Sequence, residues 1–484
     1  MKFRLPFTLV FVAFALCLLL GPLHPYLRET GALTPFYVTG VSWGELLGHP
    51  YRLLLYVASG LQSCFALPWL GAMLFTALLV AVAYAQKWAL RVSDAWFGLC
   101  WVVPFLLFVH FTQMGYLIYT TKAVAPAYVP VLEVLLGVLL LGCLRVGASR
   151  WWKGWKSSTD ATGSKRIVRL AVSVVLFVGS AIATYTYTFR DPNFLNTLRM
   201  KHAAEDGAWD QVLQIARDGN QEPTRAQVCL TRLALFKTGR MGDELFTYPE
   251  GAAAYEAPQN QWLRLMIGPL LYYHYGKTGF AYRWAMEDLV EYGERPAYLR
   301  YLHSVARLNG EEALAQRYQR SLARTLFYKD VCEREEQEAA AIKPLLNYTD
   351  QLDGDNGLVE FYLLNSFALS EGGSREMVEL SLMDGLITKN LTGFWPRFMA
   401  LLSTWQGHIP THYQEAALML TQLQGGSPLR DLSMIDPAIQ QRFQRLVEAS
   451  ARMGDNAANA AALRPEFGNT YWYYYFFVEG LKTN

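Results

Sequence analysis

Five apolar runs lie in the first 189 residues of this 484-residue chain, and the other 295 residues contain none. Each run is long enough to cross about 30 Å of hydrocarbon as an α-helix, which hydrogen-bonds its backbone polar groups within the segment. The runs cover 7–23, 68–84, 95–111, 125–144 and 168–187. The chain is therefore predicted to divide into a five-span transmembrane region (1–189) and a soluble region (190–484).

The first run resembles a secretory signal, because Lys2 and Arg4 precede it. No small-x-small cleavage site follows, since GPLHP at 21–25 is a poor substitute for one, and four more apolar runs come after it. We therefore expect it to remain as the first span.

Lys and Arg side chains are distributed unevenly around the runs. With the amino terminus in the cytoplasm, eleven of them lie on the cytoplasmic side, and only Arg28, Arg52 and Lys122 lie on the other side before Arg190. Cytoplasmic loops retain positive charge during insertion, so this orientation is predicted. An odd number of spans then places 190–484 outside the cytoplasm.

The net charge also divides at the last span. Residues up to Arg190 carry a net charge of +10, and the residues beyond it carry −8. An acidic soluble region argues against nucleic acid as a partner, and the apolar runs make the membrane the first predicted partner.

Between the first two runs, residues 51–65 repeat apolar side chains at helical spacing, with Arg52, Gln62 and Ser63 elsewhere. Pro68 separates this segment from the second run. The pattern predicts an amphipathic helix along the outer membrane surface; a helix packed on the other spans is the alternative.

From Asp191 onward the pattern is helical, so the whole chain is predicted to be all-α. The stretches 207–213, 279–285 and 309–315 each resemble the turn between the two helices of a tetratricopeptide repeat. Further candidate turns lie at Gly239, Gly373, Gly407 and Gly454. Spacings of 32, 40 and 31 residues between Gly207, Gly239, Gly279 and Gly310 are irregular, so we predict a degenerate tetratricopeptide-like α-solenoid, with an ordinary helical bundle as the alternative.

Glu133 is the one acid clearly inside a predicted span, and His110 and Lys122 are its candidate partners. Ionisable groups in hydrocarbon are costly, which favours a functional intramembrane polar site; a carboxyl that locks helices together is the structural alternative.

Seven consecutive aromatic residues occupy 471–477. They cannot all face one core. A closing helix with partly wet outer rings is one interpretation, and an interaction surface formed by Tyr471, Trp472, Tyr474 and Tyr475 is the other.

Recognisable reaction motifs are missing from the sequence. His408, His412 and Glu415 have the spacing of metal ligands, but Pro410 disrupts a helix between the histidines and favours a helix start. The calcium-like loop at 353–357 has Leu364 where a bidentate Glu is needed. With no phosphate loop or nucleophile elbow, we predict no metal, cofactor or catalytic residue.

Several short segments resemble a domain-of-unknown-function family of multi-pass membrane proteins from Bacteroides and related bacteria. They are LPWLGA at 67–72, GAWD at 207–210, KTGR at 237–240, FTYP at 246–249, TLFY at 325–328 and FGNTYWYYY at 467–475. The resemblance implies a bacterial inner membrane and a periplasmic helical domain.

Three functions remain open. We predict a membrane-anchored periplasmic scaffold that binds a protein or peptide partner, because helical repeats build extended concave surfaces. The second is a polytopic membrane enzyme of the glycosyl-transferase type acting on a lipid-linked substrate, with Glu29 and Glu45 as its acids. The third is a transporter that uses Glu133.

Overall fold

A computed structural model describes ten stretches of the chain. They are 4–39, 43–148, 164–219, 222–251, 257–346, 359–369, 373–405, 407–425, 433–453 and 457–479. Within them the chain is helical and no strand occurs, so the all-α prediction is confirmed.

The amino-terminal region consists of nine described α-helices and two 3-10 segments. The helices are α1 (Arg4–Leu20), α2 (His24–Ala32), α3 (Trp43–Gly48), α4 (Pro50–Ser63), α5 (Pro68–Leu90), α6 (Val102–Thr112), α7 (Leu117–Thr120), α8 (Tyr128–Ala148) and α9 (Ser164–Tyr187). The 3-10 segments are Cys64–Ala66 and Asp94–Trp101, and the second of these leads directly into α6.

Four segments in this region are long and apolar enough to cross a membrane: α5, Asp94–Thr112, α8 and α9. The pair formed by α1 and α2 passes the same test, but its axis bends by 71°. The predicted first span is therefore wrong at its end, because α1 stops at Leu20 and the chain turns through Gly21 and Pro22. The region thus has four or five candidate spans, depending on how the bent pair is counted.

Aromatic rings fill the interior between these helices. The Phe65 ring stacks on Phe111 at 5.4 Å, and Phe75 contacts Phe111 at 5.2 Å. At Gly31 an added Cβ would lie 2.3 Å from the backbone nitrogen of Ala66, so only glycine allows α2 to approach so closely. By contrast, only 11% of α8 and 17% of α9 is buried over the apolar windows. Such exposed apolar faces suit contact with lipid.

The remaining described helices follow from residue 192. They are α10 (Pro192–Glu205), α11 (Trp209–Asp218), α12 (Arg225–Lys237), α13 (Met241–Glu244), α14 (Ala257–His274), α15 (Thr278–Tyr292), α16 (Pro296–Leu308), α17 (Glu312–Ala323), α18 (Val331–Ile342), α19 (Val359–Ala368), α20 (Arg375–Ile387), α21 (Phe394–Leu402), α22 (Thr411–Gln424), α23 (Pro437–Met453), α24 (Ala457–Phe467) and α25 (Tyr471–Phe477). Short 3-10 segments lie at Leu245–Thr247, Lys343–Leu345 and Ser403–Trp405.

Six described helices in this region end at a glycine in the left-handed conformation, and four of these ends also share one hydrogen bond. Gly207, Gly239, Gly276 and Gly310 have φ values of +71°, +67°, +75° and +76°. In each case the residue after the glycine donates its N–H to the carbonyl five positions earlier, at 2.8 to 2.9 Å. This hydrogen bond is typical of the Schellman motif, and it satisfies a carbonyl at the helix end.

The turn predicted at Gly279 is wrong by three residues. Gly279 lies within α15, and Gly276 reverses the chain instead. Gly373 and Gly407 also have positive φ values, and Gly454 lies outside the described residues.

The chain forms two compact units that are interleaved in sequence. The first unit consists of Met1–Leu198, Asp288–His303 and Gln316–Cys332. The second consists of Arg199–Glu287, Ser304–Ala315 and Glu333–Asn484. Two segments that follow the predicted boundary at 189/190 therefore belong to the same unit as the apolar helices.

Candidate functional site

The three residues of the predicted intramembrane polar site do not contact one another. Glu133 on α8 and His110 on α6 are exposed, and no described residue forms a hydrogen bond or ion pair with either. Lys122 pairs instead with Glu291, at 2.8 Å between Nζ and Oε1, and both side chains are more than half exposed. Glu133, His110 and Lys122 therefore do not form a common polar site in the structure.

Of the two acids that the glycosyl-transferase hypothesis names, Glu29 on α2 is buried and Glu45 on α3 is exposed. The Glu29 carboxylate accepts a hydrogen bond of 2.9 Å from the hydroxyl of Tyr119. Glu29 is 1% exposed, so its environment is that of an internal polar contact rather than an open substrate cleft.

The aromatic run forms α25, and most of its rings are core residues. Tyr471, Trp472 and Tyr474 are at most 3% exposed, Tyr475 is intermediate, and Phe476 is 51% exposed. The Tyr474 hydroxyl donates to the carbonyl of Ile387, and the Trp472 indole N–H donates to the carbonyl of Glu415. The predicted interaction surface is thus corrected, because Tyr471, Trp472 and Tyr474 pack inside the second unit. Only Tyr475 of the predicted surface, and Phe476 beside it, are partly or largely exposed.

His408 and His412 lie on either side of a helix start. Helix α22 begins at Thr411, directly after Pro410, as the helix-start interpretation predicts. His412 is buried, and its Nδ1 lies 2.9 Å from the Glu415 carboxylate. The His412 Nε2 accepts from the N–H of Phe246, so Nδ1 carries the proton and donates to Glu415. The calcium-like loop at 353–357 lies outside the described residues.

The second unit contains a buried cluster of charges that the sequence did not predict. Arg225 on α12 makes a two-point contact with the Glu360 carboxylate, and its Nε lies 2.7 Å from Oε2. Arg232, two turns further along α12, reaches the same carboxylate at 2.9 Å and also pairs with Glu250. Burial by itself raises the pKa of the Glu360 carboxyl, but the two guanidinium groups outweigh burial and hold this pKa below its usual range.

Next to this cluster, Asp384 lines a cavity just large enough for one water molecule. Cys229, Arg232, Tyr275 and Glu360 also line it. The Asp384 Oδ2 and the Arg232 Nε have no hydrogen-bond partner among the described residues. Burial raises the pKa of the Asp384 carboxyl well above its usual range, against the opposing effect of Arg232.

One sequence signal for the charge cluster does exist. Arg225 and Arg232 are seven positions apart on α12, so they share a face of this helix. Their partner Glu360 follows 128 residues after Arg232, and no local pattern links such distant positions.

In the first unit, the segments 288–303 and 316–332 contribute residues that hold the loops between the apolar helices. Arg295 is 3% exposed and donates to the carbonyl of Thr121 at 2.7 Å. The hydroxyl of Tyr37 donates to the Glu294 carboxylate, and the N–H of Val38 donates to the carbonyl of Arg324. The loop that contains residues 37–38 and the loop that contains residue 121 are therefore both bound to 288–303, and the first of them is also bound to 316–332.

Comparison with known proteins identifies one family. A family model described as a family of unknown function, DUF6057, matches residues 116–478, about three quarters of the chain. The chain belongs to the DUF6057 family. No curated protein and no solved structure shows significant similarity to it.

The DUF6057 match begins just before α7 and ends just after α25. It includes the last two apolar helices, the charge cluster on α12 and the aromatic helix α25. The resemblance to a family of unknown function is thus confirmed.

Proposed function

We propose that this protein is a membrane-anchored scaffold whose C-terminal helices bind a protein or peptide partner in the periplasm of a bacterium. In this proposal five spans anchor the chain in the inner membrane, with the bent pair α1–α2 counted as the first. The C-terminal helices then form a degenerate tetratricopeptide-like solenoid.

The repeated helix end at Gly207, Gly239, Gly276 and Gly310 carries the proposal. With the third turn at Gly276 instead of the predicted Gly279, successive turn glycines lie 32, 37 and 34 residues apart. These spacings are close to the 34-residue period of tetratricopeptide repeats. Helices α11, α12 and α14 pack in succession, as do α19, α20 and α21. Stacked hairpins of this kind form extended surfaces that bind peptides and proteins.

The interior of the second unit also favours binding over catalysis. Arg225, Arg232 and Glu360 are paired with one another there, and the cavity beside them admits no more than a water molecule. A partner would therefore contact the outer faces of the helices, where Leu369, Met399 and Leu423 are 44 to 63% exposed.

The contacts of the first unit support the proposed orientation. The loops that contain Tyr37 and Thr121 each join two predicted spans, and both are bound to residues 288–303. They therefore share one side of the membrane with this segment, and the positive-inside rule makes that side the periplasm.

Photo-crosslinking in intact cells tests the scaffold function with the full chain. A benzophenone amino acid at Met399, Leu423 or Leu369 is expected to give a discrete protein adduct, whereas the same residue at the lipid-facing Leu140 is expected to give none. The scaffold function is refuted when none of the three positions gives an adduct beyond that at Leu140.

A reporter that works only in the cytosol, fused to Asn484, is expected to be inactive; an active reporter refutes the orientation.

A further inference from the structure

From Val57 to Ser63, helix α4 exposes an apolar side chain and buries its polar ones, the reverse of a water-soluble helix, whereas Arg52 near its start is exposed. Its buried side chains include Ser59, Gln62 and Ser63, each at most 5% exposed, whereas Val57 is 45% exposed. A helix on the surface of a soluble protein buries its apolar stripe and turns its polar residues to water. The reversed arrangement of α4 indicates that its outer face does not meet water.

The polar side of α4 is satisfied by the protein itself. The Gln62 amide donates to the Thr34 hydroxyl at 3.0 Å and accepts from the N–H of Ala127 at 2.9 Å. The Tyr56 hydroxyl donates to the carbonyl of Tyr37 at 3.2 Å. The polar groups of Gln62 and Tyr56 are therefore hydrogen-bonded within the protein and do not require water as a partner.

The outer side of α4 is a continuous apolar stripe. Leu53, Val57 and Leu61 follow one another at four-residue spacing and Leu54 lies three residues before Val57, which places all four on one face of a helix; Val57 is exposed and the three leucines are half-buried. The stripe adjoins exposed apolar residues at the start of α5, where Trp69 and its neighbours face outward. Their exposures are 39% for Leu67, 56% for Trp69 and 55% for Met73.

We propose that α4 is immersed in one half of the bilayer, with Leu53, Leu54, Val57 and Leu61 in contact with lipid acyl chains. Its 14 residues reach about 21 Å, too short to cross about 30 Å of hydrocarbon. Helix α4 packs directly on α5 and α8, whose own outer faces are apolar, so the lipid that surrounds those spans continues over α4. The assignment does not depend on the scaffold function.

Fluorescence quenching in lipid vesicles tests this placement. A small fluorescent amino acid replaces Val57 in the full chain, which is reconstituted in phosphatidylethanolamine and phosphatidylglycerol. Matched proteins carry it at Leu140, on the lipid-facing side of α8, and at Lys122, which is 68% exposed in a loop. Doxyl-labelled phosphatidylcholine quenches from within the bilayer, and iodide quenches from the buffer.

We expect the Val57 probe to be quenched by the doxyl lipid several-fold more than the Lys122 probe, and by iodide about as little as the Leu140 probe. Iodide quenching equal to that at Lys122 overturns the proposal, because it places α4 in water. Weak quenching by both agents also overturns it, because protein then covers the stripe. A probe at Leu61 repeats the measurement where the Val57 protein does not reconstitute.

Discussion

At the scale of single residues, the Glu360 carboxylate compensates two guanidinium groups in the interior of the second unit. Glu360→Gln leaves Arg225 and Arg232 without this charge, so we expect the free energy of unfolding to fall by about 3–5 kcal/mol. Thermal unfolding of the purified full chain in detergent measures the change. In the control Glu244→Gln, a partly exposed carboxylate loses its pairing with Arg240 and Arg217, and the expected loss is about 0–1 kcal/mol. Equal losses for the two variants would contradict the compensating role of Glu360.

The pH dependence of this contribution follows from the direction of its pKa. Because the pKa of Glu360 is lowered in the folded state, its stabilising effect is present above the unfolded pKa of about 4.3. It is lost as the pH falls through the folded pKa. The difference in stability between the parent and Glu360→Gln should therefore shrink in acid.

Asp384 has the opposite effect on stability. Its pKa is raised in the folded state, so the parent loses stability as the pH rises from the unfolded pKa, about 3.9, toward the folded value. For each pKa unit by which folding raises the pKa of this carboxyl, the free energy of unfolding falls by about 1.4 kcal/mol at a pH above the folded value. We expect Asp384→Asn to unfold at a higher temperature than the parent at pH 8 and at nearly the same temperature at pH 4. A difference that does not change with pH would show that Asp384 does not titrate in this way.

At the scale of elements, the glycine turns supply two matched positions. An added Cβ at Gly276 would lie 2.7 Å from the carbonyl oxygen of Leu345, whereas at Gly310 it meets nothing within 4 Å. Their φ values are +75° and +76°. Gly310→Ala is therefore expected to cost only the left-handed backbone energy, about 1–2 kcal/mol. Gly276→Ala should cost about 1–3 kcal/mol more, because a backbone carbonyl cannot move aside as a side chain can. Thermal unfolding compares the two, and equal costs would show that Leu345 yields.

The sequence predicted these elements where a local pattern defines them. Each of the last four apolar runs lies on a long apolar helix or helical segment whose bounds differ from the run by at most six residues, since long apolar stretches have few other structures. The break after Leu20 needed the geometry of Gly21 and Pro22, and Gly276 was overlooked because Gly279 follows three residues later. At the candidate sites, Tyr471, Trp472 and Tyr474 face the core, which an unbroken aromatic run cannot reveal.

At the scale of the whole molecule, contacts between distant segments determine the charge cluster and the composition of the two units, and the sequence did not predict either. The pairing of Arg232 with Glu360 and the assignment of 288–303 and 316–332 to the first unit both join residues more than a hundred positions apart. Net charge and hydropathy describe stretches of chain and carry no information on such pairings. The predicted boundary at 189/190 marks where the apolar runs end, whereas the compact units are defined by packing.

One of these distant contacts predicts how the first unit is held together. Arg295 is buried and donates to the carbonyl of Thr121, so Arg295→Gln should remove a charged hydrogen bond and free the loop around α7. We expect amide hydrogen exchange in residues 117–121 to become at least about tenfold faster, because a lost contact worth about 1.4 kcal/mol raises local opening tenfold. Hydrogen exchange with mass spectrometry measures this in the full chain.

The neighbouring pair of Lys122 and Glu291 provides the control for this prediction. Both side chains are more than half exposed, and such ion pairs contribute about 0–1 kcal/mol. Glu291→Gln should therefore change exchange in residues 117–121 by only a few-fold. Exchange that is unchanged in Arg295→Gln, or accelerated equally in both variants, would show that the loop is held by other contacts. Faster exchange in Arg295→Gln alone would mean that a residue beyond the last apolar run stabilises a loop between two of them.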